Sequence, residues 1–277
     1  MRKPAGPSLH SGRRSSSRLS SLVSRLSFLL VSLLSLLIEA CVDTLTSALN
    51  AEGGGADRVE LCDNLADAGT TPSHGTLLLA LEQLTIPVFP IIRPRGGGFV
   101  YDAADAAVTV ADLRHARDLG APGAVIGALT ADGDVDDRLV GALRDTAPDL
   151  QLTFHRAFDA CRDPAAALEA LIKLGINRVL TSGQAATAWE GREPIAALVR
   201  QAAGRITILA GGGVNEENAA ELVRLTGVTE LHVRGAMLRR DAGPTHDIPF
   251  RKRLPKDELT RGVTDVRRIA AIRAAVS

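Results

Sequence analysis

Glutamates, cysteines, histidines and an arginine recur in this sequence at one kind of position: alternate places along short apolar runs, toward the end of each run. Glu39 and Cys41 lie in "LLIEACV", Glu60 and Cys62 in "RVELC", and Arg93 closes "PVFPIIR". Thr153 and His155 lie in "QLTFHRA", Ser182 in "RVLTS" and His232 in "ELHVRG". The intervening places are apolar: Ile38, Ala40 and Val42; Val59 and Leu61; Leu152 and Phe154; Leu231 and Val233. An alternation of period two is that of a strand whose faces meet different surroundings. Burying an ion costs several kcal/mol unless it is paired, so a core tolerates such groups only in satisfied networks or at a working site.

Each group suggests its own chemistry. "IIRPRGGGFVY" ends a run on Arg93, adds Arg95, and follows with Gly96, Gly97 and Gly98. Two forked guanidiniums invite a carboxylate or phosphate, and the glycines let backbone approach it; alternatively, Arg93 neutralises Glu39 or Glu60. "ILAGGGVNEEN" places Gly211, Gly212 and Gly213 before a helix start, where free N–H groups favour an anion, although tight turns use glycine anyway. In "TFHRAFD", His155 is a general acid–base candidate or a hydrogen-bonded core residue, with Arg156 and Asp159 beside it. Asp159 orients a neighbour or caps the next loop. Glu39 and Glu60 are further acid–base candidates. Cys41 and Cys62 fall on neighbouring strands, about 5 Å apart if their registers match. Paired thiolates suit soft Cu(I), whereas no CxxC or HxxxH indicates zinc. As small hydrophobes the same cysteines would simply fill a core. Cys161 has no evident partner.

Eight apolar runs, at 36–42, 58–62, 87–93, 123–129, 151–157, 178–182, 205–211 and 230–235, alternate with helix-period segments. Asp163-Pro164 reads as an N-cap with proline at the first helical position, and Gly175 stops that helix. Asn215 with Glu216 and Glu217 opens another, which ends on Gly227, and residues 264–276 form the last. Alternating strands and helices imply parallel pairing, and eight units predict a single-domain α/β protein, a (β/α)8 TIM barrel. An open doubly wound sheet is the alternative. In a barrel the polar positions converge at the C-terminal mouth, where phosphate is often held after strands seven and eight. The stretch from Arg239 to Gly262 fits none of the units.

Residues 1–38 carry six basic side chains and no acid. Removing those six from the 32 basic residues leaves 26 against 32 acidic, a net of −6 for the body. An acidic body with only 3% aromatic residues argues against nucleic acid as a partner. Residues 1–35 are a Ser/Arg/Leu-rich extension, read as a transit segment, a secretory signal or a dispensable leader. Its apolar stretch is short and serine-studded, so no stable membrane insertion is expected.

The motifs "EACVDTLTSALNAEGGGADRVELCDNLADAGTTPS", "IPVFPIIRPRGGGFVY", "LTFHRAFD", "RVLTSG" and "ILAGGGVNEEN", in this order, resemble the CutC family of copper homeostasis proteins. The resemblance covers about residues 36–276. It implies a TIM barrel, a cytoplasmic homo-oligomer (dimer or tetramer), and copper binding through the cysteines matching Cys41 and Cys62. It also places family motif positions at Glu39, Glu60, Arg93, Arg95, His155, Arg156, Asp159 and His232. Three features depart from it: the N-terminal extension, which makes organelle targeting the alternative location; Arg234 where serine is expected; and Gln184 in place of a second glycine. Two functions follow, a copper-binding protein or an enzyme or sensor acting on a small phosphate- or carboxylate-bearing molecule.

Overall fold

The computed structural model describes Met1, residues 36–242 and residues 260–277; the expected extension lies outside these residues apart from Met1. Eight strands follow in sequence: β1 Leu37–Val42, β2 Arg58–Leu61, β3 Val88–Pro90, β4 Gly123–Ile126, β5 Gln151–Phe154, β6 Arg178–Thr181, β7 Thr207–Gly211 and β8 Glu230–Val233. They pair in parallel in the order β3-β2-β1-β8-β7-β6-β5-β4. A parallel bridge between Ile91 and Val125 joins the outer strands β3 and β4, with Ile92 N donating to Val125 O at 2.7 Å. The sheet thereby closes into the expected barrel. Each strand is shorter than its apolar run: β1 and β7 start later than their runs, and in the other six the run's last residues already belong to the mouth loops.

Eight helices follow the strands: α1 Leu45–Gly53, α2 His74–Gln83, α3 Ala103–Asp118, α4 Asp137–Thr146, α5 Pro164–Lys173, α6 Arg192–Ala202, α7 Ala219–Thr226 and α8 Val266–Ala275. Asp163 caps α5 as its sequence suggests, accepting from the N–H groups of Ala165 and Ala166. At α7 the signal is displaced by three residues. The Asn215 side chain accepts from Glu217 N and Asn218 N in a turn, and the helix starts only at Ala219. The unassigned stretch before α8 contributes an antiparallel hairpin, β9 Ala236–Arg240 with β10 Thr260–Thr264; residues 243–259 of it lie outside the described residues.

Two cores result from the strand alternation. Ile38, Ala40, Val42, Val59, Leu61, Leu152, Phe154, Leu231 and Val233 are all buried in the layer between sheet and helices. Inside the ring, Cys41, Cys62, Phe89, Ile91 and Val125 form a smaller apolar group. Charged residues fill the interior beside it. Arg58 Nε donates to Glu39 Oε2 at 2.5 Å, and its Nη2 donates to Glu230 Oε2 at 2.6 Å. Arg178 Nε donates to the same Glu230 oxygen at 2.8 Å, and its Nη2 to Gln151 Oε1 at 3.2 Å. Both guanidiniums stand over the Phe89 ring, 5.0 and 5.6 Å from its centroid. The result is a chain of alternating charge, Glu39–Arg58–Glu230–Arg178, all of it buried.

Removing one member of such a chain leaves an uncompensated ion in the interior. Arg58→Met, which leaves Glu39 with only His232 and Glu230 with only Arg178, is expected to cost about 3–5 kcal/mol of folding stability in urea denaturation.

Candidate functional site

The mouth-side ends of β1, β2 and β8 bring together Cys41, Glu60 and His232, with one ligand atom from each within 4.8 Å of the others. Register explains the meeting: Cys41 stands opposite Glu60 and Glu39 opposite His232 in the parallel ladders. Cys62 is therefore diagonal to Cys41 rather than beside it, yet the two Sγ atoms are only 3.9 Å apart. His232 Nδ1 lies 2.8 Å from Glu39 Oε1, and its Nε2 lies 3.7 Å from Glu60 Oε2. Space for the imidazole comes from Gly211, opposite it on β7. A Cβ at Gly211 would stand 2.9 Å from His232 Cβ and 2.6 Å from Leu180 Cδ1.

Protonation follows from these neighbours. Burial pushes the Glu39 carboxyl up, but Arg58 and His232 outweigh it and hold its pKa at about 2. Burial likewise opposes a charged His232, yet hydrogen bonds to Cys41 and Glu39 keep its pKa well above the ordinary value. The Cys62 thiol donates toward Cys41 and, with His232, holds the Cys41 pKa well below the usual range against the cost of burial. Cys62 is pushed up as the donor in that bond and by its own burial. Glu60 is also raised, by burial and then by the charge on Cys41. The site thus favours a thiolate at Cys41 beside an imidazolium at His232, with Glu60 and Cys62 keeping their protons.

Above this group opens a cavity of about 550 Å³, lined by Cys41, His232, Arg156, Arg234, Arg268 and the Gly212–Gly213 turn among others. Arg156 begins a 3-10 turn, Arg156–Ala160, directly after β5. Its Nε donates to Asp159 Oδ2 at 2.7 Å and its Nη2 to Ser182 Oγ at 2.6 Å. Asp159 also accepts from Thr181 Oγ1, Ser182 N and Gln184 N. Asp159 and Ser182 are therefore braces that aim Arg156.

Three expected positions lie elsewhere. Arg93 does not meet Glu39 or Glu60, whose ionic partners are Arg58 and His232. It donates instead to the carbonyls of Asp67, Gly69 and Gly97, at 2.6–2.7 Å, and so staples two loops. Arg95 is exposed, pairs with Asp105 at 2.7 Å and lies over the Tyr101 ring. His155 packs against Phe99 and Phe154, and its Nδ1 accepts from Ala157 N at 3.0 Å. Burial and then Arg93 pull its pKa down to about 3, so it is neutral and acts as packing. Gly96–Gly98 serve the stapled loop, with Gly97 at φ +82°. Cys161 does find a partner: Gln184 Nε2 donates to its carbonyl at 2.6 Å and approaches its Sγ at 3.8 Å.

Arg58, Arg178 and Glu230, which sequence reasoning passed over, carry the same alternation as their neighbours. Arg58 is two places from Glu60, Arg178 four from Ser182, and Glu230 two from His232. Attention to strand ends alone left out the deeper layer.

Two outcomes check this electrostatic picture. In the metal-free folded protein, iodoacetamide should modify Cys41 well below pH 9, with Cys62 resistant, as read by peptide mass mapping. Glu39 binds its proton only near pH 2 when folded but near 4.5 when unfolded. The stability it lends is thus complete above pH 4.5 and lost as pH falls toward 2, and Glu39→Gln should flatten that part of a pH–stability profile.

A model of the CutC family matches residues 36–237. The chain is 45% identical over 241 residues to the human copper homeostasis protein cutC homolog, covering 86% of this chain and 88% of that protein. It is 44% identical to the CutC family protein of Pasteurella multocida, covering 86% and 98%. Among solved structures, the CutC protein of Streptococcus agalactiae superposes with a TM-score of 0.69 at 36% identity, covering 72% of this chain and 98% of that one. The phosphoribosylanthranilate isomerase of Pyrococcus furiosus, at 12% identity, covers 87% and 98% with a TM-score of 0.51 and shares the fold alone. By sequence and architecture, this chain belongs to the CutC family.

Proposed function

We propose that this chain takes part in copper homeostasis by binding Cu(I) through Cys41 and Cys62, with His232 and Glu60 beside the ion. The observation that carries this reading is the 3.9 Å separation of two buried sulfurs. A thiolate–metal bond is about 2.3 Å for zinc, so sulfurs at this spacing can share one ion of similar size. Sulfur selects a soft ion, and the site offers no second histidine near the pair among the described residues.

The surroundings suit such an ion. Cys41 is predisposed to ionise, so binding chiefly displaces the Cys62 proton. Two thiolates and one Cu(I) leave a single negative charge, which the His232 imidazolium balances. Glu39 fixes the orientation of that ring through Nδ1, the usual task of a carboxylate behind a metal-site histidine. Three free thiols also fit the reducing cytoplasm expected from the family. The human and mouse relatives carry the name copper homeostasis protein.

Titration under reductant against a competing Cu(I) chelator should give one bound Cu(I) per chain, lost in Cys41→Ser and in Cys62→Ser. No binding at micromolar copper would discard the proposal.

A further inference from the structure

We propose that the cavity above Cys41 is a binding site for a phosphate monoester, held by Arg156, Arg234, Arg268 and the backbone of Gly212 to Val214. Copper chemistry gives no role to these groups, yet they line one space of about 550 Å³.

Their donors are only partly committed. Two nitrogens of Arg156 are committed to Asp159 and Ser182, which leaves Nη1 without a partner among the described residues. That nitrogen lies 3.5 Å from where a Cβ on Gly212 would stand. Arg234 makes no side-chain hydrogen bond or ion pair among the described residues, and its Nη2 lies 3.2 Å from the position of a Cβ on Gly262 across the same cavity. Arg268 lines the same cavity and reaches Glu216 only at 3.4 Å through Nη2.

The backbone adds a second set of donors. Gly212 and Gly213 hold φ of +103° and +72°, in the region that favours glycine. No acceptor among the described residues takes the N–H groups of Gly212, Gly213 or Val214. Successive free N–H groups of this kind form an anion-binding concavity. A side chain at Gly212 would meet Ser182 Cβ at 3.3 Å and the Arg156 guanidinium, filling the cradle.

Charge and the number of donors select the ligand. Three guanidiniums and Glu216 line the cavity, and Asp159 behind Arg156 takes up one further charge, which leaves one positive charge. A phosphate monoester bears about −1.5 to −2 at neutral pH, and its three oxygens can each accept from several donors. A carboxylate brings half the charge and two oxygens. The ester's organic part has room over Cys41 and His232.

The test is a thermal-shift and calorimetric titration of the whole chain with inorganic phosphate and with glycerol 3-phosphate. Both should bind saturably at millimolar concentration or below. Arg234→Gln, exposed and unpaired among the described residues, should weaken both about tenfold. The variant should keep the melting temperature of the unliganded protein and its Cu(I) stoichiometry, and Arg117→Gln on α3 should leave both affinities unchanged. No saturable binding, equal affinity in Arg234→Gln, or binding of inorganic phosphate with exclusion of the ester would each overturn the assignment.

Discussion

Arg58 stands between two carboxylates inside a closed ring of strands, and much of the molecule's chemistry begins there. Its Nε and Nη2 satisfy Glu39 and Glu230 from opposite sides, at 2.5 and 2.6 Å. With Arg58 in place Glu39 stays ionised, and an ionised Glu39 holds Nδ1 of His232. The hydrogen bond from Cys62 and, after it, a charged His232 favour the thiolate of Cys41. Pairing in the middle of the barrel thus contributes to reactivity at the mouth. Desolvation opposes every ion in this sequence, and only mutual contact offsets it.

The arginines divide by what their forks meet. Arg58 and Arg178 meet carboxylates and serve the interior. Arg93 and Arg95 meet mainly carbonyl oxygens and shape the loop after β3, each with a ring beneath it, Phe99 or Tyr101. Arg156, Arg234 and Arg268 line a cavity at the mouth. A guanidinium has five donors in a fixed plane, so one residue type serves all three uses.

Alternation read from sequence held wherever the residue lies within a paired strand. Glu39, Cys41, Glu60, Thr153 and His232 all point inward, and the apolar set beside them forms the outer core. The same alternation would have found Arg58, Arg178 and Glu230, had it been followed to the strands' beginnings. It failed for Arg93 because β3 ends at Pro90 and the last parallel contacts are those of Ile91 and Ile92, beyond which the ladder no longer fixes side-chain direction. His155 likewise follows the end of β5 and turns its ring toward Phe99. The loop carbonyls that capture Arg93 come from residues 67, 69 and 97, a long-range meeting that no local pattern encodes. Helix caps were legible where one side chain decides, as at Asp163. They were displaced where two compete, as with Asn215 and Asn218.

The coupling from Arg58 to Cys41 is most directly tested by the ultraviolet thiolate absorbance of the metal-free, reduced protein at neutral pH. A thiolate band that is absent in Cys41→Ser and lost on mild acidification without unfolding is expected. A native protein with no such band, its absorbance matching Cys41→Ser throughout the neutral range, would contradict it.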